Sequence, residues 1–265
     1  MVFCVAITAA QDRPYVIEQF RSEITLREDA SFKVVEKIDV RFNIARRGIF
    51  RDIPIKYETD DGGTRQISII DFKVLDENGN TRPTKVSRSS SYVRVRVGKE
   101  DRYFPPGTRQ SYVISYEVYG ALNWFDVDGT KSVELYWNVT GDKWDTDIQN
   151  TSFSVKFPTV EDSEKIAGRT FAGAFGSKDG LLLNSFGTAL GDRWTDHGIW
   201  LQNESFFGEY LEGLAPGTGY TIALSLPERV APKPSRWAVL ARTIPTMPSL
   251  FTIVFTLGFM LFFWM

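Results

Sequence analysis

The chain has 265 residues, 43% of them hydrophobic, which is enough for a sizeable core in one large or two small domains. Lys and Arg total 31 against 33 for Asp and Glu, so the net charge of -2 gives no electrostatic footprint for nucleic acid, and we expect no nucleic-acid partner. Cys4 is the only cysteine, which excludes a disulfide within the chain.

The first residues, 1–10, form an apolar run that ends in small side chains before the charged Asp12 and Arg13. This pattern is typical of the tail of a secretory signal peptide, with cleavage after Ala10. A frayed first strand is the alternative. On the first interpretation the folded domain is exported and begins at residue 11.

A long β-hairpin is predicted next. Residues 15–26 are rich in Ile, Val, Phe and Thr, residues 27–31 form a polar turn, and residues 32–42 alternate apolar and polar side chains. Glu36 is the one charge on the apolar face of the second strand, and such a residue is usually found at the rim of a sheet. A buried carboxylate with a partner is the alternative.

The segment 46–54 contains the next notable pair, Arg51 and Asp52, between the apolar Ile49, Phe50 and Ile53. Neighbouring side chains in an extended strand point to opposite faces, so we expect the two charges to find separate partners. Apolar neighbours withdraw both from water, and an unpartnered buried charge is too costly to persist. We expect this segment to lie close to Trp137 and Asn138 and to hold the fold.

Further strands are predicted at 65–75, 92–97, 112–118, 133–139, 152–157 and 220–226, separated by turns rich in Gly, Asn and Pro. Between 166 and 201 the pattern loosens into short Gly-rich pieces. No window before residue 248 keeps a helical period over more than two or three turns. The predicted fold class is all-β, with residues 15–227 forming one continuous antiparallel β-sandwich, immunoglobulin-like or a larger two-sheet form, in a domain spanning 11–228.

The end of the chain predicts a membrane anchor. Residues 250–265 are sixteen consecutive residues without a charge, and a start at Pro248 gives eighteen, close to the roughly 20 that span a bilayer. We expect a single transmembrane helix from Pro248 to Met265 in contact with lipid, after a Pro-rich linker at 229–247. A buried core helix is the alternative.

The orientation signals conflict. Arg229, Lys233, Arg236 and Arg242 precede the anchor, which by the positive-inside rule favours a cytoplasmic domain. A cleaved signal would override this bias, and we therefore predict that the domain lies on the extracytoplasmic side of the cell membrane.

A cluster of aromatic, amide and acidic residues at 137–147 is the strongest candidate for a binding site. An indole with amide and carboxylate groups around it suits a glycan, although a core tryptophan beside a solvated acidic loop gives the same pattern. The candidate binding residues are Arg51, Asp52, Trp137, Asn138, Asp142 and Trp144. The aspartates at 126, 128, 145 and 147 are too closely spaced for a dedicated calcium loop, so we predict no metal and no cofactor.

Catalysis has little support in the sequence. His197 is the only histidine, and a loop position explains it best. The motifs of serine hydrolases, zinc proteases and phosphate-binding loops are absent. Paired carboxylates of a glycoside hydrolase, drawn from Asp52, Glu134 and Asp142, form the alternative to a binding module.

Three segments in order carry a family resemblance: residues 48–54 (GIFRDIP), 112–116 (YVISY) and 134–138 (ELYWN), the last followed by Gly141 and Trp144. Together they resemble the bacterial membrane proteins of the domain of unknown function 2207 (YciQ-like) family, over roughly residues 15–265. The resemblance implies an exported β-domain followed by membrane helices, so we expect the anchor to be truncated here. It implies no established activity. The predicted function is a noncatalytic binding or scaffolding module of the bacterial cell envelope that contacts envelope polysaccharide or a membrane protein; the alternative is a glycan-binding protein or glycoside hydrolase.

Overall fold

The computed structural model describes residues 13–58, 63–158, 166–174, 180–183, 199–202 and 205–235. The predicted signal remnant at 1–10, the anchor at 248–265 and His197 lie outside these residues. None of the described residues belongs to a helix long and apolar enough to cross a membrane.

The described chain is built almost entirely of strands, which confirms the all-β prediction. The strands are β1 (Tyr15–Leu26), β2 (Phe32–Phe42), β3 (Gly48–Pro54), β4 (Lys56–Glu58), β5 (Thr64–Gln66), β6 (Ser68–Leu75), β7 (Thr84–Arg88), β8 (Tyr92–Gly98), β9 (Arg109–Tyr119), β10 (Leu122–Val127), β11 (Thr130–Asn138), β12 (Thr151–Lys156), β13 (Ala167–Ala174), β14 (Gly180–Leu183), β15 (Ile199–Gln202), β16 (Ser205–Tyr210) and β17 (Thr218–Pro227). A 3-10 turn, Glu228–Val230, follows β17.

Within the described residues these strands form four sheets. A seven-stranded sheet has the order β15-β16-β12-β1-β2-β9-β6, and a five-stranded sheet has the order β10-β11-β17-β13-β14. A three-stranded sheet, β3-β8-β7, and the ribbon β4-β5 complete the set. The described residues therefore form four sheets, whereas the predicted sandwich has two.

Among the strands of the described residues, pairing is antiparallel except between β1 and β12. The predicted hairpin is present, with Phe20 opposite Ile38 in β1 and β2. β1 also pairs with β12, and this pair is parallel. The prediction of a continuous antiparallel arrangement is therefore wrong at this position. Alternation within each strand does not reveal the direction of its neighbour, since parallel and antiparallel strands share the same period of two.

The core lies where the inward faces of the sheets meet. The Phe32 ring of β2 packs edge-on against the Trp137 indole of β11 at 5.1 Å between centroids. Phe153 of β12 contacts Tyr220 of β17 at 5.8 Å. Such contacts between aromatic rings of the seven- and five-stranded sheets bury large apolar areas.

The compact unit continues through Ala231 and a second unit begins at Pro232. Val230 and Ala231 are buried, and the Trp124 Nε1–H donates a hydrogen bond of 2.9 Å to the Ala231 carbonyl. The last turn of the chain in this unit is thereby fixed to β10.

Two glycines allow β3 and β8 to approach closely where they first pair. Gly48 and Gly98 are opposite one another in β3 and β8, both with positive φ angles. A Cβ added at Gly48 would lie 1.9 Å from the carbonyl oxygen of Val97, and one at Gly98 would lie 2.1 Å from that of Arg47. The two backbones approach so closely that neither position has room for a side chain.

We predict that Gly48→Ala destabilises the protein far more than Gly79→Ala. Gly79 also has a positive φ, but a Cβ there would meet nothing within 4 Å, so it controls for conformational strain alone. Strain costs about 1–2 kcal/mol, and the collision should add at least about 2 kcal/mol in Gly48→Ala. Urea denaturation of the purified protein measures both. Equal losses would mean that the close approach is not rigid.

Candidate functional site

A buried ion pair lies at the centre of the candidate region. Arg51, in β3, donates from Nε to Glu36 Oε2 at 2.8 Å and from Nη2 to Glu36 Oε1 at 2.7 Å. Both residues are 0% exposed. The rim position predicted for Glu36 is wrong, and the alternative of a partnered buried carboxylate is confirmed. Alternation places Glu36 on the inward face of β2, but it does not show that Arg51 of β3 lies there to pair with it.

Further hydrogen bonds surround the pair. Arg51 Nη1 donates to its neighbouring carbonyl, Asp52 O, at 2.8 Å, and Nη2 donates to Val139 O at 3.3 Å. The Tyr116 hydroxyl donates to Glu36 Oε1 at 2.6 Å. The guanidinium also lies over the Phe20 ring, 5.5 Å from its centroid. A buried charge persists only with such a set of partners.

Neighbouring groups shift the pKa values of Arg51 and Tyr116. Burial alone would lower the pKa of Arg51, but the Glu36 carboxylate offsets this and raises that pKa above its usual value. Burial also raises the pKa of Tyr116 well above its usual range, and the Glu36 charge raises it further. Tyr116 therefore acts as a neutral donor to the Glu36 carboxylate.

Gly141 makes room for the guanidinium. It has a positive φ, and a Cβ there would lie 2.3 Å from Arg51 Nη1. Its backbone N–H donates to Asn138 Oδ1 at 2.8 Å. The turn after β11 is thereby folded around Arg51, and the predicted proximity of the Arg51 and Trp137–Asn138 segments is confirmed.

Asp52 projects away from Arg51 and has its own partner, as predicted. Both of its carboxylate oxygens accept hydrogen bonds from Arg94 of β8, each at 2.7 Å. Arg94 stands opposite Asp52 in the β3–β8 register. The alternation of Val and Arg in β8 predicts that Arg94 lies on the solvent face of that strand. Only the register of β3 and β8 identifies Arg94 as the partner of Asp52.

The two tryptophans are not available to a ligand. Trp137 is 0% exposed and Trp144 is 5% exposed. Trp137 packs on Phe32, and the Trp144 indole N–H donates to Thr140 O at 2.7 Å. The interpretation of these indoles as a glycan-stacking surface is wrong, because both serve the core. Arg51 is likewise fully buried and cannot contact a ligand.

An open cavity of about 360 Å³ lies beside the ion pair, lined by residues of β3, β4, β8, β11, β13 and β17. Three of the candidate binding residues line it, namely Asp52, Asn138 and Asp142. Its aromatic lining consists of Tyr57, Tyr92, Tyr136 and Phe171, which the sequence interpretation missed. The volume lies within the range of about 300–1,000 Å³ usual for small-molecule sites.

The other predicted chemistry is not assembled here. Glu134, the third carboxylate of the hydrolase alternative, does not line the cavity and accepts a hydrogen bond from Asn123 at 3.3 Å. Asp145 accepts a hydrogen bond from the Tyr15 hydroxyl at 2.6 Å. Among the described residues, no group of three or more His, Cys, Asp or Glu is placed to hold a metal ion.

Comparisons with known proteins identify relatives of the chain. The family described as predicted membrane protein (DUF2207) N-terminal domain matches residues 16–195, which confirms the resemblance seen in the sequence. Over 148 residues the chain is 28% identical to the uncharacterized protein YciQ of Escherichia coli (strain K12). That match covers 54% of this chain and 22% of the relative, so the chain spans less than a quarter of the relative's length.

Similarity to solved structures is weak. The M1 zinc metallopeptidase from Deinococcus radiodurans gives a TM-score of 0.38 at 10% identity over 82% of this chain and 44% of that one. A protein described as a putative protease from Parabacteroides distasonis gives a TM-score of 0.38 at 9% identity over 84% and 41%.

We predict that the buried ion pair stabilises the fold as a unit. Arg51→Leu leaves Glu36 charged and without its main partner, and should lower the free energy of unfolding by about 3–5 kcal/mol. Replacing both Arg51 and Glu36 with leucine removes both charges and should cost less than the sum of the two single substitutions.

Urea denaturation of the three variants measures this coupling. Arg109→Ala, which breaks an exposed ion pair with Glu18, is the control and should leave the midpoint unchanged. Single variants as stable as the parent, or losses that simply add, would contradict a structural role for the pair.

Proposed function

Because the chain belongs to the DUF2207 family of predicted membrane proteins, we propose that its β-rich unit is a noncatalytic binding module of the bacterial cell envelope. In this proposal residues 248–265 cross the membrane and residues 229–247 link the anchor to the binding unit. The binding unit lies on the extracytoplasmic side, where its partner is a component of the envelope.

The observation that carries the proposal is the open cavity and the state of its charged groups. Its lining combines four aromatic rings with amide and hydroxyl groups, which is the usual composition of a recognition site. Asp52 already accepts two hydrogen bonds from Arg94. Asp142 is largely buried, with the Lys143 ammonium 3.7 Å away. Both carboxylates therefore have a cation beside them, which supports a role in binding.

The glycoside hydrolase alternative has less support. It requires one carboxyl group that gives a proton and a second that acts as nucleophile or base. A carboxylate whose two oxygens both accept from an arginine is poorly suited to giving a proton. Glu134, away from the cavity, does not supply the missing acid.

We predict that the purified protein, kept in detergent so that residues 248–265 stay covered, co-sediments with delipidated envelope fragments and does not degrade them. Thr221→Trp fills the cavity and should abolish binding. Ser225→Trp, on the same face of β17 but outside the cavity, is the matched control and should bind normally. Reducing ends released during incubation should remain at the level of protein-free samples.

Two results would contradict this function. Binding that survives Thr221→Trp would place the site elsewhere. A steady release of reducing ends that Asp52→Asn or Asp142→Asn abolishes would favour the hydrolase.

We also predict the orientation of the unit. Ser89 is exposed in the turn between β7 and β8, and the variant Cys4→Ala with Ser89→Cys carries a single thiol there. A membrane-impermeant maleimide added to intact spheroplasts should label this thiol, because the unit lies outside. Labelling that appears only after lysis would indicate a cytoplasmic unit.

A further inference from the structure

The floor of the cavity is the outer face of the five-stranded sheet. Tyr136 and Asn138 lie on this face of β11, in phase with one another and out of phase with the buried Trp137. Thr221 stands opposite Asn138, and Phe171 stands opposite Thr221. These side chains form a row of amide, hydroxyl and aromatic groups across three adjacent strands.

A bare stretch of backbone adjoins this row. Gly219 and Gly173 are opposite one another in β17 and β13, and both line the cavity. A Cβ added at Gly219 would lie 3.1 Å from Asn138 Oδ1 and 3.2 Å from Nδ2. The Gly141 carbonyl oxygen lies 3.0 Å from the same position. The Asn138 amide therefore rests directly on the Gly219 backbone, which only a residue without a side chain allows.

Asn138 is oriented as a hydrogen-bond donor to the cavity. Its Oδ1 accepts from the Gly141 N–H at 2.8 Å, which determines which way the amide faces. Its Nδ2 makes no hydrogen bond to another described residue. The Asn138 amide thus has a fixed orientation and a free donor, so it can give a ligand a hydrogen bond in a defined direction.

Four charged side chains of the described chain line the cavity. The acids are Asp52 and Asp142, and the bases are Lys56 and Lys143. Asp52 is paired with Arg94, and Asp142 lies 3.7 Å from Lys143. These two pairs leave Lys56 as the one lining charge without an ion pair among the described residues, so the cavity offers at most a single cation to an anionic ligand. Most of the lining consists of aromatic rings, hydroxyls and an amide, which suit an uncharged ligand.

The strand order disfavours a peptide on this floor. An extended peptide is usually bound by adding a strand to an unpaired sheet edge. β11, β17 and β13 are all internal strands, each paired on both sides. Recognition here must come from side chains and not from a backbone ladder.

We propose that this cavity binds a neutral oligosaccharide, with the C–H face of a sugar ring against Tyr136 and a sugar oxygen accepting from Asn138 Nδ2. Tyr136 is 44% exposed, so its ring offers an apolar surface that a sugar can cover. The inference rests on the proposed binding function and names the ligand class of the same cavity.

Isothermal titration calorimetry of the purified protein tests the ligand class with three tetrasaccharides of equal length: those of glucose, of N-acetylglucosamine and of galacturonic acid. At least one neutral tetrasaccharide should bind with one site per chain, at least tenfold tighter than the anionic one. Tyr136→Ala should weaken this binding at least tenfold, or about 1.4 kcal/mol. Tyr136→Phe keeps the ring and should stay within about threefold of the parent.

Tyr103→Ala provides the matched control, since Tyr103 is also an exposed tyrosine and lies outside the cavity. It should leave binding unchanged. Thermal melts check that each variant is folded, and a substitution at a residue as exposed as Tyr136 should be tolerated.

The failures of the two proposals are distinguishable. If no neutral tetrasaccharide binds, or if folded Tyr136→Ala binds as well as the parent, the ligand class is overturned. If envelope fragments bind in a Thr221→Trp-sensitive manner but lose binding after protease treatment, the ligand is a protein and only the sugar inference fails. If envelope fragments do not bind at all, the proposed function itself fails.

Discussion

The fold depends on one buried guanidinium. Arg51 joins three parts of the structure: its own strand β3, Glu36 of β2, and the carbonyl of Val139 just after β11. Removing both charges from water is expensive, and the four hydrogen bonds that Arg51 donates offset this cost. The planar fork of arginine reaches the carboxylate with two bonds and still presents Nη1 to Asp52 O, which a lysine ammonium on a flexible stem would not reproduce.

The same centre determines where the cavity forms. Because successive side chains of a strand point to opposite faces, the inward direction of Arg51 places Asp52 on the cavity side of β3. Gly141, which yields space to the guanidinium, also donates to Asn138 and so orients the amide that faces the cavity. The segments that hold the Arg51–Glu36 ion pair, β3 and the turn after β11, thus also position side chains that line the cavity.

Some of this arrangement could be predicted from the sequence. Period-two alternation located β2, β8 and β9, whereas the content of Ile, Val, Phe and Thr located β1. Alternation also required separate partners for Arg51 and Asp52. Alternation could not identify which residues those partners are. Glu36 and Arg51 are 15 residues apart, and Tyr116 is a further 65 residues beyond Arg51, so their meeting depends on sheet order and register. The parallel pairing of β1 with β12 is likewise a property of the chain path, which local patterns do not encode.

The error over Trp137 differs in kind, because the sequence held the information needed to avoid it. Trp137 alternates in phase with the apolar Val133 and Leu135, whereas Tyr136 is in phase with Glu134 and Asn138. The first set belongs to a core face and the second to a polar face. An aromatic residue in phase with polar neighbours is therefore the better candidate for ligand contact. By this criterion Tyr136 is a better candidate than Trp137, which is buried. The same criterion selects Tyr92, which is in phase with Arg94 and Arg96 on β8 and lines the same cavity.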